Sequence, residues 1–567
     1  MGVAIGIDLG TSNTVAAIRG KDLRVLQNVE SQDLTPSVVG TYKKKTSVGQ
    51  RALDQMLLAP RDTILSIKRL MGRGYRDQQV QEVRKHHVYA IVEPSDGTDD
   101  DLRVVMDGKQ YSPIEISAMI LKKAKEDAEL RLNDKVEYAV ITVPAYFTEK
   151  QKDATRKAGL LAGLKVQKIL DEPTAAAIAF GIDNLGQDDS RTILIYDLGG
   201  GTFDVSVLTI VGNIFAQLDI EGNMWLGGDN FDCRIMEHVL QHIQGVYGMD
   251  ARQRPDFMVK LKERAEQAKK ALSCMGRAAI CIPGVLTDVG GRVIDIEVEL
   301  SRAEFEQMIA ADVASSIELV RLAIRNAGEA MTPEQIDHVI LVGGSSYIPL
   351  VRKSLAEVFG EQKLMMNVDP MKCVAFGAAA LSAKWGEKVE CPKGHENPGQ
   401  NMVCEVDGCG EPLTTGGTVE VTGMHYGIQA KGDKFEVIIS KGSTFPTPEP
   451  VKKNFRTPSP NLKRLRVPVY AGFDLVASKN ELQFTIWLEL PDNVPADTPL
   501  DVALGLDKDG ILDKVRVALL DGSGTHIETY IGRGGERDRL EKKLEQLRKR
   551  KDAASAELTA EVGQKWE

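Results

Sequence analysis

The sequence contains the same short segment twice, as IGIDLGTSNTVAAI from Ile5 and as LIYDLGGGTFDVSV from Leu194. In each copy an apolar run leads into an Asp-Leu-Gly turn, and a second apolar run follows the turn. Apolar and β-branched runs on both sides of a turn rich in Gly, Thr, Ser and Asn are typical of a β-hairpin. We therefore predict two hairpins, whose first strands end at Asp8 and Asp197, in a molecule whose second half repeats its first.

The two turns are predicted to bind phosphate. Gly199, Gly200 and Gly201 let the backbone approach a ligand closely, and the free N–H groups of such turns point into one concavity. Asp8 and Asp197 would repel a phosphate unless a cation lay between them, which predicts Mg²⁺ held largely through waters. A single Gly-rich turn is more often an ordinary hairpin, but the matching second copy favours a cleft for a metal-bound polyphosphate.

Composition narrows the class of protein. The 567 residues suffice for roughly four domains of ~150 residues, and the net charge of −10 is spread over the chain and does not favour nucleic acid. No secretory signal, myristoylation motif or apolar run of ~18 residues is present. Seven cysteines, three of them between residues 391 and 409, suit a reducing compartment and a metal. We expect a cytoplasmic protein.

Two further residues have both an ordinary and a functional interpretation. Lys68, in SIKRLMG, supplies the cation that phosphoryl transfer needs near the terminal phosphate, although most lysines in such segments are solvated. Glu172, before Pro173, is either a charge at a helix N-terminus or a group directed into the cleft. Helical periods predict helices over 112–132 and 257–272, the second with Lys269 on its exposed face, and residues 136–143 read as a buried strand.

These segments resemble a known family. GIDLGTSNT, SIKRLMG, VITVPAYF, ILDEPTAAAIAFG, IYDLGGGTFDVSV and VGGSSYIPLV are similar to the nucleotide-binding domain of the seventy-kilodalton heat-shock chaperones of the DnaK type, over about residues 1 to 385. Actin and the sugar kinases share the two hairpins but not the VPAYF, EPTAAA and KRL segments. The resemblance implies an α/β actin-like ATPase of two lobes with ribonuclease-H-like halves, and ATP and Mg²⁺ between the lobes.

The resemblance also implies roles for particular residues. Asp8 and Asp197 would hold the hydrated Mg²⁺, and the catalytic residues would be Lys68, Glu172, Asp197 and Thr202, with Lys68 and Glu172 positioning the attacking water. The ATP-binding residues would be Gly10, Thr11, Ser12, Asn13, Gly199, Gly200, Gly201, Thr202, Gly228, Glu266, Lys269, Lys270, Ser273, Gly343, Gly344, Ser345 and Tyr347. Tyr347 replaces the family's Arg, and DPMKC at 369–373 replaces Asn-Pro-Asp-Glu-Ala, so phosphate binding is better supported than base selectivity.

Residues 386–418 interrupt the family pattern. Cys391, His395, Cys404 and Cys409 form two ligand pairs on Gly-containing turns, which suits tetrahedral Zn²⁺. The segment resembles a zinc ribbon whose first knuckle has lost a Cys. The C-x3-H and C-x4-C spacings are looser than C-x2-C, so a metal-free loop is the alternative.

The remaining chain is predicted to be β-rich and then helical. Short alternating runs between Tyr426 and Ile531 are typical of an antiparallel β-sandwich and resemble the peptide-binding β-subdomain of the same chaperones; a purely structural sandwich is the alternative. Residues 534–562 have the period of one helix, a fragment of the family's lid.

The predicted domains are an ATPase at 1–385, a Cys-rich linker at 386–418, a β-sandwich at 419–532 and a C-terminal helix at 533–567.

We expect an ATP-hydrolysing chaperone that binds unfolded or extended polypeptide. The resemblance implies a J-domain co-chaperone and a nucleotide-exchange factor as further partners, and no nucleic acid or membrane. An ATP-switched scaffold with one dedicated partner is the main alternative, because a shortened lid would close less over a client. A polymerising actin-like protein is a third, which the added β-sandwich disfavours.

Overall fold

A computed structural model of the chain describes residues 2–94, 101–184, 190–211, 214–287, 290–328, 331–365, 369–384, 388–391, 393–398, 406, 409, 418–447, 449–522 and 524–530. Cys404 and the predicted C-terminal helix lie outside these residues. The chain divides into two compact units, Met1–Gly423 and Met424–Glu567. Within the described part, we find no helix with the length and apolar character of a membrane span.

The first half of the first unit is built on a mixed sheet. The strands of this half are β1 (Val3–Leu9), β2 (Asn13–Arg19), β3 (Leu23–Val25), β4 (Thr35–Pro36), β5 (Val39–Tyr42), β6 (Lys45–Val48), β7 (Thr63–Ile64), β8 (Ile91–Val92), β9 (Arg103–Met106), β10 (Lys109–Tyr111), β11 (Val136–Val143) and β12 (Lys165–Asp171). Its helices are α1 (Gln50–Asp54), α2 (Gln78–His86), α3 (Pro113–Leu132) and α4 (Glu149–Leu161). The main sheet has the order β12-β11-β1-β2-β3.

The second half has the same plan. Its strands are β13 (Ser190–Leu198), β14 (Phe203–Val211), β15 (Ile214–Asn223), β16 (Arg277–Thr287), β17 (Val293–Ser301), β18 (His338–Val342) and β19 (Leu364–Met365). The helices are α5 (Glu172–Asn184), which links the halves, α6 (Gly228–Tyr247), α7 (Pro255–Cys274), α8 (Arg302–Ala327), α9 (Pro349–Phe359) and α10 (Cys373–Lys384). The sheet order β19-β18-β13-β14-β15 matches the first sheet strand for strand.

The predicted duplication is confirmed in the strand pairing. β1 is antiparallel to β2 and parallel to β11, and β13 is antiparallel to β14 and parallel to β18. Asp8 therefore lies beside Thr142, and Asp197 lies beside Val342. Because the carboxyl ends of parallel strands share one edge of a sheet, each half presents its Asp at the edge where ligands bind in α/β folds.

The predicted helix over 112–132 is also confirmed, and its sequence explains both of its ends. Ser112 and Glu115 form a reciprocal capping box before the first turn, and Pro113 occupies the first helical position. Asn133 ends the helix in the left-handed conformation that short polar side chains tolerate. Ile116, Ile120 and the other buried residues share one face of α3 and join the core of the first half.

Helices α5 and α10 pack in the core between the two sheets. Both are rich in Ala, and the residues buried in them include Ala175, Ala176, Ala378 and Ala379. A side chain on Gly377 would meet the carbonyl oxygen of Ala175 at 1.8 Å, so the two helices cross in direct backbone contact. Small residues at this crossing bring the two halves close enough to form one cleft.

The end of the first unit and the second unit are β-structured. After α10 come β20 (Lys388–Glu390), β21 (Glu396–Pro398) and β22 (Thr418–Val421). The second unit has β23 (His425–Ala430), β24 (Lys434–Ile439), β25 (Thr444–Phe445), β26 (Val451–Arg456), β27 (Arg464–Gly472), β28 (Glu481–Glu489), β29 (Pro499–Leu506), β30 (Leu512–Leu519) and β31 (His526–Tyr530). Antiparallel sheets β24-β23-β27-β28 and β26-β29-β30-β31 contribute to one apolar core.

Candidate active site

The two hairpin turns face one cleft in the first unit. The space between the turns, which is open to solvent, measures about 590 Å³. Its lining residues are Asp8, Gly10, Thr11, Ser12, Asn13, Val15, Leu34, Lys68, Glu172, Asp197, Gly199, Gly200, Thr202, Val342, Gly343, Gly344, Pro370, Met371 and Val374. Both copies of the repeated segment thus contribute to one site.

Buried charges dominate the floor of this cleft. The Lys68 ammonium lies 2.5 Å from Glu172 Oε1, and both side chains are buried. Burial raises the pKa of Glu172 to about 7, although the positive charge of Lys68 acts to lower it. Burial also raises the pKa of Asp8, which accepts a hydrogen bond of 3.0 Å from Thr142 Oγ1. Asp197 has a pKa well above the ordinary value because of burial and of the neighbouring Glu172 and Asp204 carboxylates.

This arrangement fits a divalent cation. Asp8, Glu172 and Asp197 line the cleft together with a single lysine, and their mutual repulsion in a buried site disfavours the charged forms. A bound cation reverses that effect, and carboxylate oxygens are suitable direct or water-mediated ligands of Mg²⁺. Asp8 and Asp197, which the sequence predicts as the residues that hold Mg²⁺, both line this cleft.

The backbone around the cleft is close-packed. A side chain on Gly200 would lie 2.3 Å from Ser12 Oγ, so the two hairpin turns almost touch. Ser345 Oγ donates to the carbonyl oxygen of Gly199 at 2.9 Å, and the N–H of Gly228 donates to the same oxygen at 3.0 Å. Two elements therefore hold the second phosphate turn from behind while its other side faces the cleft.

Comparison with known proteins identifies the family. Residues 4–389 match the family described as Hsp70 protein. The chain is 34% identical over 98% of its length to the ribosome-associated molecular chaperone SSB of Candida glabrata, and it covers 86% of that protein. It is 33% identical to a ribosome-associated molecular chaperone of the same type from Saccharomyces cerevisiae and 34% identical to one from Eremothecium gossypii, with the same coverage.

The chain belongs to the Hsp70 family. The resemblance inferred from the motifs is thereby confirmed, and so is the assignment as an ATPase, because Hsp70 proteins hydrolyse ATP. The fold is that of an Hsp70 protein, with the mixed sheets and helices of an actin-like ATPase followed by a β-domain. The chain is an Hsp70-type, ATP-dependent chaperone.

Some of the predicted ATP-binding residues of this Hsp70 protein lie outside the described lining of the cleft. They are Gly201, Gly228, Glu266, Lys269, Lys270, Ser273, Ser345 and Tyr347. Gly228 and Ser345 support the second phosphate turn, as described above. On α7, Lys270 pairs with Glu266 at 2.6 Å on the exposed surface, and the Ser273 hydroxyl donates to the Lys269 carbonyl oxygen.

The prediction that Lys269 lies on an exposed face of its helix is wrong. Its ammonium lies 2.8 Å from Asp232 Oδ1 and donates to the Gly228 carbonyl oxygen at 2.9 Å. Its side chain is only 13% exposed because α6 packs against this face of α7. The pKa of Asp232 is raised to about 6 by burial, with Lys269 opposing the shift. A helical charge pattern alone does not distinguish a solvated lysine from one paired across a helix interface.

Tyr347 lies beside the cleft, in a neighbouring shallow depression open to solvent that it lines with Asp369, Met371 and Lys372. Met371 borders both the depression and the cleft. The departure from the family pattern at DPMKC thus places a methionine in the wall of the ATP cleft. The sequence contained the signal for Met371. Among the other unpredicted lining residues, Val15, Val342 and Pro370 lie inside the motifs quoted above, whereas Leu34 and Val374 lie outside them.

Strand β22 lies against the second half of the ATPase unit. It pairs in parallel with β15, where Phe215 is the partner of Thr418. Glu420 is buried and lies 2.5 Å from Lys168, and Val421 packs with Ala145 and Ile220. The sequence gives no indication that Glu420 is buried in an ion pair, because its partner Lys168 lies far away in the chain.

Three of the predicted zinc ligands lie together. The ligand atoms of Cys391, His395 and Cys409 are all within 4.8 Å of one another, and the two sulfurs are 3.8 Å apart. The His395 N–H points to Cys391 Sγ at 3.4 Å, and the Gly394 N–H donates to the Cys391 carbonyl oxygen at 2.8 Å. The short hairpin β20–β21 holds the first pair in position.

Proposed function

We propose that the cleft of this chaperone hydrolyses ATP and thereby regulates the binding of extended polypeptide by the β-domain. The Lys68–Glu172 ion pair, set between two phosphate turns and two further carboxylates, is the observation that carries the catalytic part. Asp8 and Asp197 would hold hydrated Mg²⁺, which would supply positive charge to neutralise phosphate. Lys68 and Glu172 orient the attacking water, and Thr202 lies in the phosphate turn beside them.

Polypeptide binding is assigned to the unit that begins at Met424. Phe473 and Leu475, on the loop between β27 and β28, are 47% and 82% exposed. Large apolar side chains on one loop are suited to contact with extended apolar segments.

The SSB relatives are named ribosome-associated chaperones, and we propose nascent and unfolded chains as clients, a J-domain protein and a nucleotide-exchange factor as further partners, and the cytoplasm as the location.

We also propose that Cys391, His395, Cys404 and Cys409 hold one structural Zn²⁺. Two thiolates at about 2.3 Å from a tetrahedral zinc ion are about 3.8 Å apart, and the separation of the Cys391 and Cys409 sulfurs has this value. The N–H directed at Cys391 Sγ is the outer-shell contact that orients a thiolate ligand. Neither cysteine is part of a disulfide bond.

The proposed function is tested by ATP turnover of the full chain with and without a reduced, unfolded polypeptide, together with suppression of that polypeptide's aggregation. A chaperone of this type hydrolyses ATP faster when the unfolded chain is present and keeps it soluble. If no unfolded chain and no member of a peptide array changes the rate of ATP hydrolysis, the result would instead favour an ATP-switched scaffold with one dedicated partner.

A further inference from the structure

Arg69, the residue after Lys68, reaches across the cleft to the second phosphate turn. One of its terminal nitrogens, Nη2, donates to the Gly201 carbonyl oxygen at 2.9 Å and to Asn230 Oδ1 at 2.9 Å. The side chain is 9% exposed. A side chain on Gly201 would meet Arg69 Nε at 2.7 Å, so the guanidinium lies directly on that turn. One arginine of the first half therefore binds both the turn and the start of α6 in the second half.

A second contact across the cleft begins on the other side of Lys68. Ser66 Oγ donates to Asp229 Oδ2 at 2.9 Å, and Arg69 Nε lies 3.8 Å from the same oxygen. Ser66 has a φ of 53°, a left-handed conformation that is unfavourable for a residue with a Cβ. Ser66 and Arg69, which lie on either side of Lys68, are thus both held by the N-terminus of α6, and the backbone two residues before Lys68 is strained.

The charges around Asp229 keep this contact ionic. Burial alone would raise its pKa, but Lys262, Arg69 and Lys269, together with the Ser66 hydrogen bond, hold the pKa of Asp229 below its ordinary value. The guanidinium carbon of Arg69 also lies 5.9 Å from the centre of the Trp225 ring, which shields it from water. Asp229 therefore stays ionised, and Arg69 has a persistent partner.

We propose that Arg69 is a positioning residue that sets the distance between Lys68 and the second phosphate turn. Lys68 and Arg69 share the short 3₁₀ segment Ile67–Leu70, so they cannot move independently. The planar guanidinium fixes that segment against Gly201, and Lys68 is thereby placed opposite the phosphates that the turn binds. This inference rests on the proposed role of Lys68.

Single-turnover hydrolysis and ATP dissociation constants of the full chain test the proposal. Arg69→Met should slow hydrolysis on the order of tenfold to a hundredfold, as misplaced catalytic groups do, and change the dissociation constant by less than about threefold. Arg73→Met is the matched control, since Arg73 lies 5.7 Å from the same Trp225 ring but pairs with Asp77. It should hydrolyse ATP within about twofold of the wild-type rate.

The same substitution in a Lys68→Ala background separates positioning from a general structural effect. If Arg69 acts through Lys68, Arg69→Met should slow the remaining hydrolysis by less than about threefold there. The proposal would be overturned if Arg69→Met lowered the hydrolysis rate by the same factor in the wild-type and Lys68→Ala backgrounds. It would also be overturned if Arg73→Met lowered the rate as much as Arg69→Met does. Arg69→Lys, which keeps the charge but lacks the planar fork, should show most of the loss and replaces Arg69→Met if that variant does not fold.

The two assignments fail in different ways. A Lys68→Ala variant that hydrolyses ATP at the wild-type rate would overturn the proposed role of Lys68 itself. A slow Lys68→Ala variant beside a normal Arg69→Met variant would overturn only the positioning role of Arg69.

Discussion

At the scale of single residues, the cleft combines side chains that a repeated motif identifies with others that only the fold brings together. Asp8 and Asp197 could be predicted because each occupies the same place in a duplicated hairpin. Contacts such as Arg69 with Gly201 join residues far apart in the chain, and no local pattern encodes them. The buried Lys68–Glu172 pair lies between these cases, since the family resemblance supplied both residues but not their contact.

Lys68→Ala should leave ATP binding largely intact and lower turnover by several hundredfold or more. Removing a group that stabilises only the transition state typically costs about 3 kcal/mol or more. Lys165→Ala, which removes an exposed lysine paired with Glu137, is the control and should turn over normally. Steady-state hydrolysis and nucleotide affinity measure the two effects, and normal turnover in Lys68→Ala would contradict the assigned role.

Asp171 should make stability depend on pH. Burial raises its pKa to about 7, with Lys152 opposing and Glu420 reinforcing the shift. A buried carboxyl with a raised pKa holds its proton in the folded state after the unfolded chain has lost it, so its effect on stability turns unfavourable as pH rises from about 4 to 7. Thermal unfolding without nucleotide or Mg²⁺ should therefore show a midpoint that falls across this range.

The variant Asp171→Asn isolates this contribution. Its unfolding midpoint should fall less steeply than that of the wild type between about pH 4 and 7. Asp256→Asn is the control, because Asp256 is exposed, pairs with Arg254, and has a lowered pKa. A steep fall retained in Asp171→Asn would assign the pH dependence to other carboxyls.

At the scale of elements, helices and strands with strong local signals were predictable. The capping residue and apolar period define α3, and residues 136–143 form the predicted strand β11. Burial was less predictable, because Lys269 and Glu420 are charged residues on patterns that normally face solvent. Each is stabilised by an opposite charge from another element, and a single sequence does not reveal such a partner.

The Cys-rich segment provides a prediction about metal content. Changing both Cys404 and Cys409 to Ser should release one Zn²⁺ per chain, since two remaining ligands are too few for a closed structural site. Residues 1–385 should stay folded, because their core is formed by separate elements. Elemental analysis of purified wild-type protein that finds no metal would end the zinc assignment.

At the scale of the whole molecule, the central claim is that ATP in the cleft regulates polypeptide binding by the β-domain. We propose that the effect of ATP is transmitted through strand β22, which directly precedes the second unit in the chain. Val421 is buried, and docking of a strand with two valines contributes at most on the order of 2 to 4 kcal/mol before ordering costs. The buried Glu420–Lys168 pair adds little net energy because desolvation offsets its attraction. Coupling in proteins is typically about 1–3 kcal/mol, so weak coupling is expected.

Fluorescence anisotropy of a labelled extended apolar peptide, titrated with the full chain in ATP and in ADP, tests this claim most directly. We predict that the peptide binds and that ATP weakens binding by a measurable factor below about tenfold. Val419→Asp with Val421→Asp should remove that difference while basal hydrolysis persists. Equal affinity in both nucleotides, or no peptide binding at all, would contradict the account, and a hundredfold effect of ATP would contradict weak coupling through β22.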